Sequence, residues 1–138
     1  MKALLIVAHG SRRKESNDEV RRLAQRIHEN AGPAFDLVTS AFLEISSPQI
    51  DSAVADLVDE GASEIRIFPY FLAAGTHVVN DIPRIIEEEK NNHPDIDFEI
   101  LPHLGALQGI STLILNQIYK GGKPRNPALA SLETLETD

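Results

Sequence analysis

The chain has 138 residues, 42% of them hydrophobic and 5% aromatic, with neither cysteine nor tryptophan, which is the length of one domain. The missing cysteine excludes disulfides, zinc fingers, iron–sulfur clusters and thiol nucleophiles, so any metal must sit on His, Asp, Glu or carbonyl oxygen. A net charge of −8, from 13 Lys plus Arg against 21 Asp plus Glu, argues against nucleic acid or an anionic membrane as partner.

The elements are taken in chain order. Residues 3–8 are an unbroken apolar run, the pattern of a strand covered on both faces. Ser16 and Glu19 have capping-box spacing, and Val20, Leu23, Ala24 and Ile27 form the buried stripe of a first helix that Gly32-Pro33 ends. A second strand is expected over residues 35–42. Ser47 and Pro48 read as N-cap and first position of a second helix, with Ile50, Val54, Leu57 and Val58 inward and Gly61 at its end. The third strand, 64–68, leads through a turn at Gly75 into a helix carrying Ile82, Ile85 and Ile86. Pro83 requires that helix to start nearby, between Val78 and Ile82. A fourth strand at 96–101 and a fourth helix at 104–119 complete a domain of residues 1–120. Residues 121–138 form a polar tail expected to be flexible and to carry no chemistry. There is no internal repeat, and neither a signal peptide nor an apolar run of about 18 residues, so a soluble cytoplasmic protein is expected. Fourfold strand–helix alternation predicts an α/β fold: one lobe, a parallel sheet, helices on both faces.

In such sheets ligands bind beyond the carboxyl ends of the strands. The strands end in His9-Gly10-Ser11, in Glu44, in the loop from Leu72 to His77, and in His103, so three of five histidines and a carboxylate share one rim. His28, in the first helix, and His93, in a connection, are read as surface residues. Any one rim histidine has a purely structural reading, as donor to a neighbouring carbonyl. Three together point to metal binding or proton transfer, since imidazole ligates divalent metals and, with an ordinary pKa of about 6.5, is a competent base near neutrality. Glu44 adds charge at the approach or polarises a histidine. Ser11 offers a hydroxyl, and Arg12, Arg13 and Lys14 offer a local positive field for an acidic ligand, or simply a solvated basic turn. Gly75 lets backbone approach a flat ligand. No G-x-G-x-x-G, Walker loop or G-x-S-x-G elbow is present, which removes dinucleotide, nucleotide and α/β-hydrolase chemistry from consideration.

Three segments together, L-L-I-V-A-H-G-S-R at the start, A-F-L-E-I-S-S-P in the middle and F-P-Y-F-L-A-A-G-T-H-V-V-N-D-I-P beyond it, resemble the short form of the class II chelatases, the CbiX-type sirohydrochlorin cobaltochelatases. The resemblance runs from Met1 to about Tyr119. It implies insertion of a divalent ion (Co²⁺, Fe²⁺ or Ni²⁺, a substrate rather than a tightly bound cofactor) into the tetrapyrrole sirohydrochlorin, for cobalamin or siroheme synthesis. His9 would then be proton acceptor and metal ligand, and His77 the second ligand. Ser47 and the loop residues Leu72, Ala73, Ala74, Gly75 and Thr76 would contact the macrocycle. Many relatives carry histidine where this chain has Ala74 and an acidic residue where it has Ser47. Longer class II chelatases have two such lobes around a cleft, so the resemblance also implies a homodimer. A non-catalytic metal or tetrapyrrole carrier, or an adaptor whose rim histidines are structural, are the competing readings.

Overall fold

A computed structural model describes residues 1–119; the predicted tail at 121–138 lies outside the described residues. Strands β1 (Lys2–Ala8), β2 (Leu37–Phe42), β3 (Glu64–Pro69) and β4 (Asp97–Ile100) form one sheet in the order β2-β1-β3-β4. Every pairing is parallel, with Leu5 opposite Thr39 on one side and Ile67 on the other. The apolar run of the first strand is explained by its place: β1 lies between β2 and β3, and Ala3 to Ala8 are all buried.

The helices are α1 (Lys14–Asn30), α2 (Ile50–Asp59), α3 (Ile82–Asn92) and α4 (Gly109–Ile118). Helices α2 and α3 cover one face, where Ile50, Val54, Leu57, Ile82 and Ile86 close on Leu5, Val7, Ile65, Ile67 and Phe98. The other face is covered by α1, whose Val20 and Ala24 pack on Leu4, Ile6, Val38 and Phe42. Each fully buried large aliphatic side chain contributes about 1.5–3 kcal/mol, so these two layers hold the sheet. No described helix is long and apolar enough to cross a membrane. Helix α4 differs from the rest. None of its residues is buried, and Leu113, Ile114 and Ile118 are 59, 57 and 65% exposed.

Three local expectations need correction. Helix α1 begins at Lys14, with Arg13 as N-cap and no side-chain cap, so the Ser16 capping box does not form. The amides of Ser16 and Asn17 go to the Arg13 carbonyl, while buried Asn17 turns back on the preceding loop. Ser47-Pro48 does not open α2. It is a cis peptide, and the Pro48 carbonyl accepts the amide of Phe42, so this pair lies along the outer edge of β2 and the helix starts at Ile50. Helix α3 starts at Ile82, within the expected bounds, and a π-turn over His77–Asp81 precedes it and delivers Pro83 into its first turn. The fourth helix splits into a 3₁₀ turn, Leu104–Ala106, and α4, because the Gly105 amide donates to the Phe71 carbonyl and Leu107 is extended.

His28 and His93 are more than surface residues. His28 Nδ1 accepts the outward-pointing amide of Val38 on edge strand β2, at 3.1 Å. His93 Nε2 faces Glu89 at 3.7 Å. Glu89 is only 4% exposed, and its carboxyl is raised above its ordinary value. Burial is the main cause, reinforced by Asp51 and Glu88 and opposed by His93. A raised carboxyl binds its proton more tightly in the folded chain than in the unfolded one, so stability falls as pH rises above the ordinary value of 4.5. Glu89→Gln is therefore expected to raise the melting temperature near neutral pH, with the gap closing as pH falls toward that value. A gap that does not change with pH in scanning calorimetry would exclude this account. A second expectation concerns Gly105, where a Cβ would lie 1.7 Å from the Leu72 carbonyl oxygen. Because that contact is backbone, Gly105→Ala should cost about 1–3 kcal/mol and raise amide exchange across residues 71–76.

Candidate functional site

The strand order places the chemistry. The chain leaves β1 toward β2, then crosses back over β1 to β3 and β4, so its direction reverses between β1 and β3. Open α/β sheets bind ligands outside the carboxyl ends at such a switch point. His9 follows β1 directly, and the loop after β3 carries Leu72, Ala73, Ala74, Gly75 and Thr76 to His77. All five loop residues are exposed on this rim.

The two imidazoles meet there, with ring centroids 4.7 Å apart and planes tilted by 33°. Each is held by a carboxylate. His9 Nε2 lies 2.7 Å from Glu44 Oε1, and His77 Nδ1 lies 2.7 Å from Asp81 Oδ2. Ionised carboxylates only accept, so each contacting nitrogen carries the proton. The free lone pairs are then Nδ1 of His9 and Nε2 of His77. Both side chains are a little under half exposed, at 44 and 43%. Among the described residues no three His, Asp or Glu side chains converge into a preformed metal cage. The third rim histidine, His103, caps the 3₁₀ turn through its carbonyl, and its ring does not join the stacked pair.

The backbone around this pair is tightly stitched. Gly10 has φ +98°, and a Cβ there would lie 1.9 Å from the Glu44 carbonyl oxygen; the Glu44 amide in turn donates to the His9 carbonyl at 3.1 Å. Only glycine lets the two rim segments approach so closely. Beyond Glu44, Ile45 has φ +71°, a strained conformation for a β-branched residue, of order 1–3 kcal/mol. Arg21 secures that turn. Its guanidinium donates to Ser46 Oγ at 3.0 Å and the Ser47 carbonyl at 2.9 Å, over the Phe42 ring at 5.0 Å. Asn17 secures the other side, accepting the Ser11 amide and donating to the Ser11 carbonyl.

The candidate basic corner is unequal. The Ser11 hydroxyl accepts the Arg13 amide, a local turn contact. Arg13 lies 3.9 Å from Glu15, and Lys14 lies 3.5 Å from Asp18. Burial would raise the Asp18 carboxyl, but Arg21 and Lys14 outweigh it and hold it below its ordinary value. Arg12 has no ion pair among the described residues. The main clefts in the described surface lie elsewhere. One of about 360 Å³ runs beside β2 and is lined by Arg21, Gln25, His28, Thr39 and Pro48. The histidine pair instead sits on an open rim. Of the residues that build this rim, sequence reasoning named His9, His77 and Glu44 but not Asp81, Asn17 or Arg21. Only Asp81 left a signal, four residues after His77.

Comparison with known proteins identifies the family. Over 93 residues the chain is 38% identical to the sirohydrochlorin cobaltochelatase of Methanocaldococcus jannaschii, a match covering 67% of this chain and 64% of that protein. It is 30% identical over 118 residues to the sirohydrochlorin ferrochelatase of Priestia megaterium, covering 86% of this chain and 44% of the relative. The crystal structure of the sirohydrochlorin chelatase SirB from Bacillus subtilis subspecies spizizenii in complex with cobalt superposes with a TM-score of 0.73 at 24% identity, over 97% of this chain and 59% of that one. The chain thus spans less than two thirds of the length of each of these three proteins. The CbiX family model matches residues 3–120, which shows that the chain belongs to the CbiX family.

Proposed function

We propose that this chain inserts a divalent metal ion into sirohydrochlorin. The observation that carries the reading is the pair of carboxylate-backed histidines, 4.7 Å apart at the switch point of the sheet. Insertion exchanges two pyrrole N–H protons for one M²⁺, so the site must strip water from the ion and accept two protons. His9 and His77 supply two imidazoles, and Glu44 and Asp81 stabilise the charge each gains when protonated. At least one imidazole must be neutral when substrate arrives, because a protonated ring neither ligates nor accepts. The relatives named for cobalt and for iron insertion leave both ions, and Ni²⁺, as candidate substrates, since nitrogen and oxygen ligands rank these metals similarly whatever the pathway.

The macrocycle would lie across the exposed loop 72–76, with Ser47 at its far side. Ala74 and Ser47, which replace residues common in the family, remove a potential imidazole and a potential carboxylate from that surface without touching the histidine pair. Sirohydrochlorin carries several carboxylates, and Arg12, Arg13 and Lys14 beside His9 provide a local positive field in an acidic protein. The active form in this reading is a homodimer, two rims facing across the ligand. Support comes from apolar surface that one lobe leaves open. Leu72 and Val79 on the rim are 73 and 60% exposed, and α4 leaves the same end with its apolar side chains uncovered.

Anaerobic incubation with sirohydrochlorin and limiting Co²⁺ or Fe²⁺, followed by the visible spectrum of the ring, tests the proposal. Many metallated rings per chain are expected, which a stoichiometric carrier would not give. His9→Ala and His77→Ala should each lose about 10²–10⁴-fold in rate; wild-type insertion by both would end this reading. Reversing Arg12, Arg13 and Lys14 to Glu should raise KM for the tetrapyrrole about tenfold while moving KM for the metal little. An equal effect on both would remove the basic corner from the account.

A further inference from the structure

We propose that Asp81 is the positioning residue of this site, fixing the His77 ring so that Nε2 alone is offered to the incoming metal. The inference rests on the reading of His77 as a metal ligand. Three observations carry it. Asp81 Oδ2 takes the proton-bearing Nδ1 of His77 at 2.7 Å, which leaves the lone pair on Nε2. On its other side Asp81 Oδ1 faces the exposed Arg84 Nη2 at 3.8 Å, an ion-pair distance beyond hydrogen-bond reach. The backbone between the two residues is a π-turn, in which the Ile82 amide reaches the His77 carbonyl across five residues.

Pro83 accounts for that turn. In an unbroken α-helix residue 83 would donate its amide to the Val79 carbonyl, but proline has none, and its ring crowds that carbonyl. Widening the turn relieves the crowding, and such single turns recur at functional sites. Four-residue spacing is not sufficient by itself to make the contact. Glu89 and His93, also four apart at the other end of α3, approach only to 3.7 Å. The two site histidines are also held by opposite nitrogens, His9 through Nε2 and His77 through Nδ1. Asp81 thereby makes the pair chemically unequal, and the ring it holds presents its outer nitrogen.

The test uses the full chain as wild type, Asp81→Asn and Asp81→Leu, each confirmed folded by its melting temperature. Long-range proton–nitrogen couplings of the His77 ring are read without metal, and Co²⁺ affinity is read by calorimetry with the metal alone. Wild type should show Nδ1–H. Asp81→Leu should move His77 toward Nε2–H, the form imidazole prefers in water, and weaken Co²⁺ binding about 10–100-fold. Asp81→Asn, whose amide oxygen still accepts, should keep Nδ1–H and most of the affinity, with the His9 signals unmoved. A folded Asp81→Leu chain that retains Nδ1–H on His77, or that binds Co²⁺ as wild type does, overturns the proposal. Failure of the wild type to bind Co²⁺ would overturn the metal-insertion reading instead, while the couplings still decide whether Asp81 sets the ring.

Discussion

The pairing of β1 with β3 is the constraint on which the rest of this structure depends. Val7 lies opposite Pro69, so the two strands end side by side and the segments leaving them are brought together. Strand β1 runs straight into His9, and β3 runs into the loop that reaches His77. The pairing persists past the strands, where the Tyr70 amide donates to the Val7 carbonyl at 2.8 Å. From there the chain is knitted sideways: Glu44 to His9 through backbone, Gly105 to Phe71 through backbone. A rim of loops is rigid enough to hold two imidazoles in contact because its hydrogen bonds run between segments as well as within them.

The proposed metal insertion would pass through cations in a protein whose net charge is negative. Metal ion and released protons would both be positive, and the carboxylate beside each imidazole would balance that charge. The cations lie to one side, at residues 12–14, and two of those three are partly neutralised by Glu15 and Asp18. The net charge of −8 therefore describes the molecule less well than its arrangement does.

Much of this is legible from residues. The continuous apolar run betrays a central strand, strand–helix alternation implies parallel pairing, and the rule about carboxyl ends locates His9, Glu44 and His77. Local capping is misleading because Ser16 and Ser47 have the residue types of caps without their geometry. A hydroxyl at the right spacing cannot reveal that Asn17 is already committed to Ser11, or that Pro48 is bonded to the edge of β2. Arg21 is invisible for another reason. Its partners Ser46 and Ser47 are 25 and 26 residues away in the chain, and only the folded turn brings them to it. Pro83 reads in sequence as an obstacle to a helix. Its effect, a widened turn that sets Asp81 under His77, becomes visible only in the backbone.

The hydrogen bond from Val38 to His28 bears on whether a further strand can add to this margin of the sheet. Strand β2 is an edge, and its outward amides fall at alternate residues. Val38 is stoppered by an imidazole and Phe42 by the Pro48 carbonyl, leaving Ser40 between two occupied neighbours. A foreign strand needs an uninterrupted row of donors and acceptors to zip onto a sheet, and here the row is broken at both ends. Fusion of two sheets into one continuous eight-stranded ribbon is thereby closed off along this margin of the lobe.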